Sequence, residues 1–258
     1  MTTTPGTPIL EAREIVKTYG HVQALRGAQF TAYPGEVVAL IGDNGAGKST
    51  LTKILAGVAM PDGGELLFEG RAVQIPSPAA AQALGIETVY QDLSLAADLD
   101  GAANIYLGRE LTRPGLLGRL GVLDKRAMRR QAADAFAQLG VAIKDVDAPV
   151  AYLSGGQRQG VAVARAAAWA SRVIIMDEPT AALGVVQSAR VLDTVRQVRA
   201  RGLTVILISH NMPEVLAIAD RVEVLRLGRL VATFTREQAT LESLVGAMTG
   251  AVEQAAQP

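Results

Sequence analysis

The 258 residues carry 25 basic and 25 acidic side chains and no cysteine. A balanced charge gives no bulk pull toward nucleic acid or an anionic membrane, and the missing thiols exclude disulfides, zinc–thiolate sites and thiol chemistry. With 49% hydrophobic and 19% charged residues, the chain reads as globular, with room for one large domain or one domain plus a subdomain.

Residues 1–8 lack the basic start and apolar stretch of a signal peptide and are expected to form a flexible tail. Ile9 to Val16, Ala28 to Ala32 and Glu65 to Phe68 read as short strands. Pro34-Gly35 and Pro61-Asp62-Gly63-Gly64 punctuate them as turns, which predicts a small antiparallel layer. Val37 to Ile41 is a buried-strand run, and Thr50 to Ala56 has helical spacing. Between them stands Gly42-Asp43-Asn44-Gly45-Ala46-Gly47-Lys48-Ser49, which fits G-x-x-x-x-G-K-S/T, the phosphate-binding loop of nucleoside triphosphatases. Glycines let backbone N–H groups face a phosphate, and the helix N-terminus adds partial positive charge. Lys48 is placed to reach the outer phosphates and Ser49 to offer its hydroxyl to Mg²⁺.

Ile86 to Tyr90, Val173 to Met176 and Val205 to Ile208 read as further buried parallel strands. Helical stretches alternate with them. Val185 to Arg201 is long and amphipathic, and Gly202 is placed to end it. This alternation predicts an α/β fold with a parallel sheet. Residues 93–165 read instead as an inserted helical subdomain, in which Asp124 caps a helix running to Gly140 and Gly108 to Gly121 forms a loop. Residues 251–258 are expected to form a second tail. No apolar run is long enough to span a bilayer, so a membrane role is expected to come through a partner.

Two further stretches carry chemistry. Arg172 to Glu178 is a buried-strand run ending in two carboxylates, which at the carboxyl edge of a parallel sheet would sit beside the phosphate loop. Asp177 is placed to organise Mg²⁺ through water, and Glu178 to orient or deprotonate an attacking water. Leu153-Ser154-Gly155-Gly156-Gln157 is a second glycine-rich turn opening a helix, and so a second anion cradle. The bland alternative is a plain helix cap. One triphosphate does not need two cradles at opposite ends of a domain, so the second is expected to face the triphosphate of another subunit.

With these motifs the chain resembles the ATP-binding cassette (ABC) family over about residues 9–246; its signature motif is Leu-Ser-Gly-Gly-Gln. The resemblance implies a P-loop NTPase (RecA-like) core at about 9–92 and 166–246, an N-terminal antiparallel β layer and a helical subdomain at about 93–165. It implies two cassettes sandwiching two ATP molecules head to tail, with Mg²⁺. ATP would be held by Tyr19, stacked on adenine, and by Gly42, Asp43, Asn44, Gly45, Ala46, Gly47, Lys48, Ser49 and Thr50. Ser49, Asp177 and Gln91 would serve the metal, Gln91 also sensing a transmembrane partner. His210 would contact the γ-phosphate and hold the water with Glu178. The other histidine, His21, reads as a surface residue. One departure stands out: where the family usually has Ser-Ala-Leu-Asp, this chain has Ala181-Ala182-Leu183-Gly184. Gly184 supplies no carboxylate, which puts the usual cross-site coupling in doubt.

Gly42-Asp43-Asn44-Gly45, Thr88 to Leu93, Asn104 to Glu110 and Ala181 to Val185 resemble the ATPases of bacterial monosaccharide importers of the ribose, xylose and fructose type. The resemblance is to their single-cassette form. It implies a peripheral subunit at the cytoplasmic face of the membrane, working as two copies beneath two permease subunits and fed by an extracytoplasmic sugar-binding protein, with no nucleic-acid partner. Three alternatives remain open: another small solute as cargo, a soluble non-transport ABC protein, and a non-hydrolysing nucleotide-gated scaffold.

Overall fold

The computed structural model describes residues 6–141, 143, 146–181 and 183–251. Most of both expected tails, at 1–5 and 252–258, lies outside the described residues. The chain divides into two compact units. The first takes in the chain up to Thr88, then Ala170–Pro179, then the chain from Arg199 on; the second comprises Val89–Trp169 and Thr180–Val198.

The first unit begins with β1 (Leu10–Tyr19), β2 (Val22–Ala32), β3 (Val37–Ile41), α1 (Lys48–Leu55), β4 (Gly63–Phe68), β5 (Arg71–Val73), α2 (Pro78–Ala83) and β6 (Ile86–Val89). After the second unit it continues with β7 (Val173–Asp177), α7 (Val185–Ala200, mostly in the second unit), β8 (Thr204–Ile208), α8 (Met212–Ile218), β9 (Arg221–Arg226), β10 (Arg229–Thr235) and α9 (Leu241–Thr249). Two sheets result. One is antiparallel, in the order β2-β1-β4-β5; the other runs β10-β9-β3-β8-β7-β6. In the larger sheet β3 pairs in parallel with both β8 and β9, and β7 with β8.

Burial explains the order. All five residues of β3 and of β8 are buried, as suits strands covered on both faces. Side chains alternate across a strand. Val38 and Leu40 therefore join Leu10, Phe30, Leu51 and Ile54 on one side, while Ala39 and Ile41 join Met212, Val215 and Leu244 on the other. The antiparallel layer is present as expected, but its strands are longer than the sequence suggested. Tyr19 pairs with Val22 across a Gly20-His21 turn, in a stretch too polar to read as strand. The β9–β10 hairpin was not legible either, because charged residues interrupt it.

One of those charges is buried. Glu223 is 1% exposed and pairs with Arg221, which also reaches Glu36 at 2.7 Å. Burial pushes the Glu223 carboxyl up to about 7, against the pull of Arg221 and the Thr31 amide. Burial also works against the Arg221 charge, but Glu223 and Glu36 outweigh it and raise the guanidinium above its usual range. The cluster ties β9 to β2.

The second unit is built from α3 (Gly101–Tyr106), α4 (Leu116–Arg119), α5 (Lys125–Gln138) and α6 (Gly155–Trp169), together with most of α7. Asp124 caps α5 as expected, its side chain accepting the Ala127 N–H at 3.0 Å. The α5 face of Met128, Ala132 and Phe136 is buried. Asn104 is wholly buried and ties the segment before α3 together, accepting from the Ala96 N–H and donating to the carbonyls of Ala96, Leu99 and Asp100. The expected loop at Gly108 to Gly121 contains the short helix α4. No helix among the described residues is long and apolar enough to cross a membrane.

Candidate nucleotide site

In the first unit the glycine-rich loop leaves β3 and enters α1. Gly42 cannot be exchanged: a Cβ there would lie 2.2 Å from the Leu225 carbonyl oxygen. Asp43, Asn44 and Gly45 are exposed, Ala46 is buried, and Gly47 caps α1 in the left-handed conformation. The amides of Lys48, Ser49 and Thr50 precede the first helical bond, from the Leu51 N–H to the Gly47 carbonyl at 2.9 Å. They are the orphan donors of a helix start. No acidic side chain occupies that first turn, so no internal anion competes for it. Lys48 is buried and folds back on the loop, donating from Nζ to the Gly42 carbonyl at 2.6 Å and the Asp43 carbonyl at 3.0 Å. Burial lowers its pKa, while Glu178, Asp43 and Asp177 work to raise it.

The carboxylates stand at the end of β7. Asp177 is half-buried, and its pKa is raised by burial and then by Glu178, with Lys48 and Lys53 opposing. Glu178 has a φ of 49°, a left-handed backbone that costs on the order of 1–3 kcal/mol outside glycine. A bond from its N–H to the Ile208 carbonyl on β8, 2.9 Å, holds it there. His210, just past β8, brings Nδ1 to 3.1 Å from Glu178 Oε1. Two strand ends that are neighbours in the sheet thus deliver the two groups to one spot. Tyr19 is 47% exposed, with the Lys17 ammonium 5.6 Å from its ring centre. On its hairpin partner strand, Ala24 and Leu25 leave no room for a side chain at Gly47, where a Cβ would lie 2.8 Å from the Ala24 carbonyl oxygen. His21 is exposed.

The second unit carries the other motifs. Gln91 is exposed after β6, and the chain then turns through Leu93 and Ser94, both at positive φ. Arg165 on α6 holds that turn, donating to the Ser94 carbonyl at 2.7 Å and the Leu93 carbonyl at 3.0 Å. Sequence reasoning missed this role; its only signal is a lone arginine in the alanine-rich run Ala162 to Ala168. Ser154 and Gln157 cap α6 reciprocally: the Ser154 N–H donates to Gln157 Oε1 at 3.0 Å, and the Gln157 N–H to Ser154 Oγ at 3.3 Å. The turn at Leu153–Gln157 is therefore a helix cap. Leu153 is half-buried. Next to this turn, Leu183 lies 3.3 Å from where a Gly155 Cβ would stand. Ala182 of the Ala181–Gly184 stretch lies outside the described residues.

Residues 25–181 match the ABC transporter family model. The chain is 52% identical over 248 residues to the fructose import ATP-binding protein FrcA of Rhizobium meliloti, covering 95% of each chain. It is 44% identical over 241 residues to the xylose/arabinose import ATP-binding protein XylG of Sulfolobus acidocaldarius, covering 93% of this chain and 94% of that one. Among solved structures it is similar to the ADP conformation of MJ1267, an ATP-binding cassette of an ABC transporter. There the TM-score is 0.77 at 26% identity, covering 95% and 96% of the two chains. With a phosphate loop, paired strand-end carboxylates and a capped signature turn on one chain, these likenesses place it: the protein belongs to the ABC transporter family, as one of its ATP-binding cassettes.

Proposed function

We propose that this chain is the ATP-hydrolysing subunit of an importer that carries a monosaccharide across the bacterial cytoplasmic membrane. The observation that carries the reading is the 3.1 Å contact of His210 Nδ1 with Glu178 Oε1. A carboxylate oriented by a second polar group, in the unit that holds the phosphate loop, suits hydrolysis rather than binding alone. The names of the two relatives, for fructose and for xylose or arabinose import, support a sugar as cargo.

In this reading the amides of Gly42–Thr50 and the Lys48 ammonium hold the phosphates, and Tyr19 stacks on adenine. Glu178 orients and deprotonates the water, and His210 holds it against the γ-phosphate. Ser49 and Asp177 would hold Mg²⁺, which neutralises charge on the phosphates when bound. Among the described residues no group of three or more His, Cys, Asp or Glu could cage an ion. That donor set fits Mg²⁺, which takes one or two protein ligands and completes its shell with phosphate and water. Gln91 senses the permease.

Leu153–Gln157 faces the triphosphate of a second copy, and the two cassettes pair beneath two permease subunits. One ABC ATPase domain spans 9–246, and its helical subdomain at 93–165 passes the motion on. The subunit is peripheral, at the cytoplasmic face, and an extracytoplasmic sugar-binding protein supplies the cargo. The test is reconstitution of all three components with a screen of small solutes. One monosaccharide should stimulate ATP hydrolysis severalfold. Stimulation only by a solute that is not a sugar overturns the cargo, and absence of any hydrolysis overturns the enzyme.

Gly184 marks where this cassette departs from its family. Among the described residues a Cβ there would meet only the movable Gln187 amide, at 2.7 Å, so Gly184→Asp is sterically accessible. We expect the substitution to change the cooperativity of hydrolysis in ATP concentration. A saturation curve superimposable on that of the wild type would count against a cross-site role for this position.

A further inference from the structure

We propose that the loop from Arg113 to Val122 is a membrane-contact element that seats directly on anionic phospholipid. Leu116 and Leu120 are each 72% exposed and Leu117 48%, with Val122 and Leu123 beside them at 38% and 37%. These side chains do not belong to a fraying segment. The Arg113 N–H donates to the Val122 carbonyl at 2.8 Å and the Asp124 N–H to the Leu111 carbonyl at 2.7 Å, and Thr112 bridges Leu123. Gly118 lets the loop close, since a Cβ there would lie 1.9 Å from the Arg113 carbonyl oxygen. The fold thus builds a closed loop and turns its leucines outward, where clustered apolar side chains mark an interaction site.

Charge selects the partner. Residues 109–126 hold five basic side chains against two acidic ones, in a chain whose net charge is zero. Both acids are engaged locally: Glu110 accepts the Gly108 N–H at 2.9 Å, and Asp124 caps α5. Arg109 lies over the Trp169 ring at 4.8 Å. Arg113 and Arg119 are left exposed at the tip, among the leucines. Leucines flanked by arginines suit the boundary between acyl chains and anionic headgroups. The contact is assigned to the tip, because the adjoining cavity of about 350 Å³ carries both signs, Asp98, Asp100, Glu110 and Asp147 beside Lys125 and Arg129, with Arg129 pairing Asp147 at 2.9 Å. A partner-mediated membrane role, expected from the sequence, is thereby joined by a direct one, and nothing in it depends on the nucleotide chemistry.

The test is co-sedimentation of the full chain with vesicles of phosphatidylcholine alone and of phosphatidylcholine with phosphatidylglycerol. The wild type should partition onto the anionic vesicles only, and less so as salt rises. Arg113→Gln and Arg119→Gln should each weaken partitioning about fivefold, and Leu116→Ser with Leu120→Ser about tenfold or more. ATP hydrolysis by the isolated variants should stay at the wild-type rate, which separates this surface from the nucleotide site. Leu120→Trp should shift its fluorescence to the blue on anionic vesicles. The proposal is overturned if the wild type does not partition, if the variants partition as it does, or if the tryptophan does not shift. Variants that bind vesicles normally but fail to assemble with detergent-solubilised permease would make the loop a protein interface and overturn it equally.

Discussion

Lys48→Ala is expected to weaken ATP binding by about a hundredfold or more. Lys48 now gives its ammonium to the Gly42 and Asp43 carbonyls, neutral acceptors that a triphosphate readily outbids. A charge-assisted bond contributes roughly 1.5–3 kcal/mol, and losing the cation removes more than one such contact at the outer phosphates. The fold should not suffer, because burial disfavours this charge and lowers its pKa. Titration calorimetry alongside thermal melting tests both halves. Unchanged affinity in a folded variant removes Lys48 from phosphate binding, whereas a collapsed melting temperature would mean that its role is structural.

Glu178→Gln separates binding from chemistry. The amide keeps an oxygen for His210, the side chain keeps its length, and the left-handed backbone at 49° is equally tolerated. What disappears is the ability to take a proton, a contribution of about 10²–10⁴ in rate. ATP should bind as before while turnover falls by that factor, and gel filtration with ATP should show an accumulated dimer. Turnover within a fewfold of wild type would show that another group activates the water.

The chemistry lies in short, contiguous words, which is why it was readable. The phosphate loop, the Asp177-Glu178 strand end and Leu153–Gln157 each need particular residue types at fixed spacing, and backbone geometry near a glycine is a local matter. The buried strands β3, β7 and β8 were equally plain, because strands covered on both faces are continuous apolar runs. Polar strands were harder. The Tyr19 end of β1 is held by a tight hairpin to Val22, and β9 by β3 far along the chain, pairings that no local propensity encodes. The helix α4, four residues among three glycines, is likewise set by its loop rather than by periodicity.

The sequence by itself determined the phosphate-loop pattern, the paired carboxylates at a strand end and the Leu-Ser-Gly-Gly-Gln word of the family. Only the tertiary structure decided which groups meet. It set Glu178 against His210 across neighbouring strands, clamped the turn after Gln91 with Arg165, buried Glu223 against Arg221, and left the leucines at 116 and 120 facing water. The physical reason is range. Loop and cap chemistry depends on a few consecutive dihedrals, whereas side-chain partnership and burial depend on distant segments packed together, and the same residue types read alike in sequence whether they end up paired, buried or exposed.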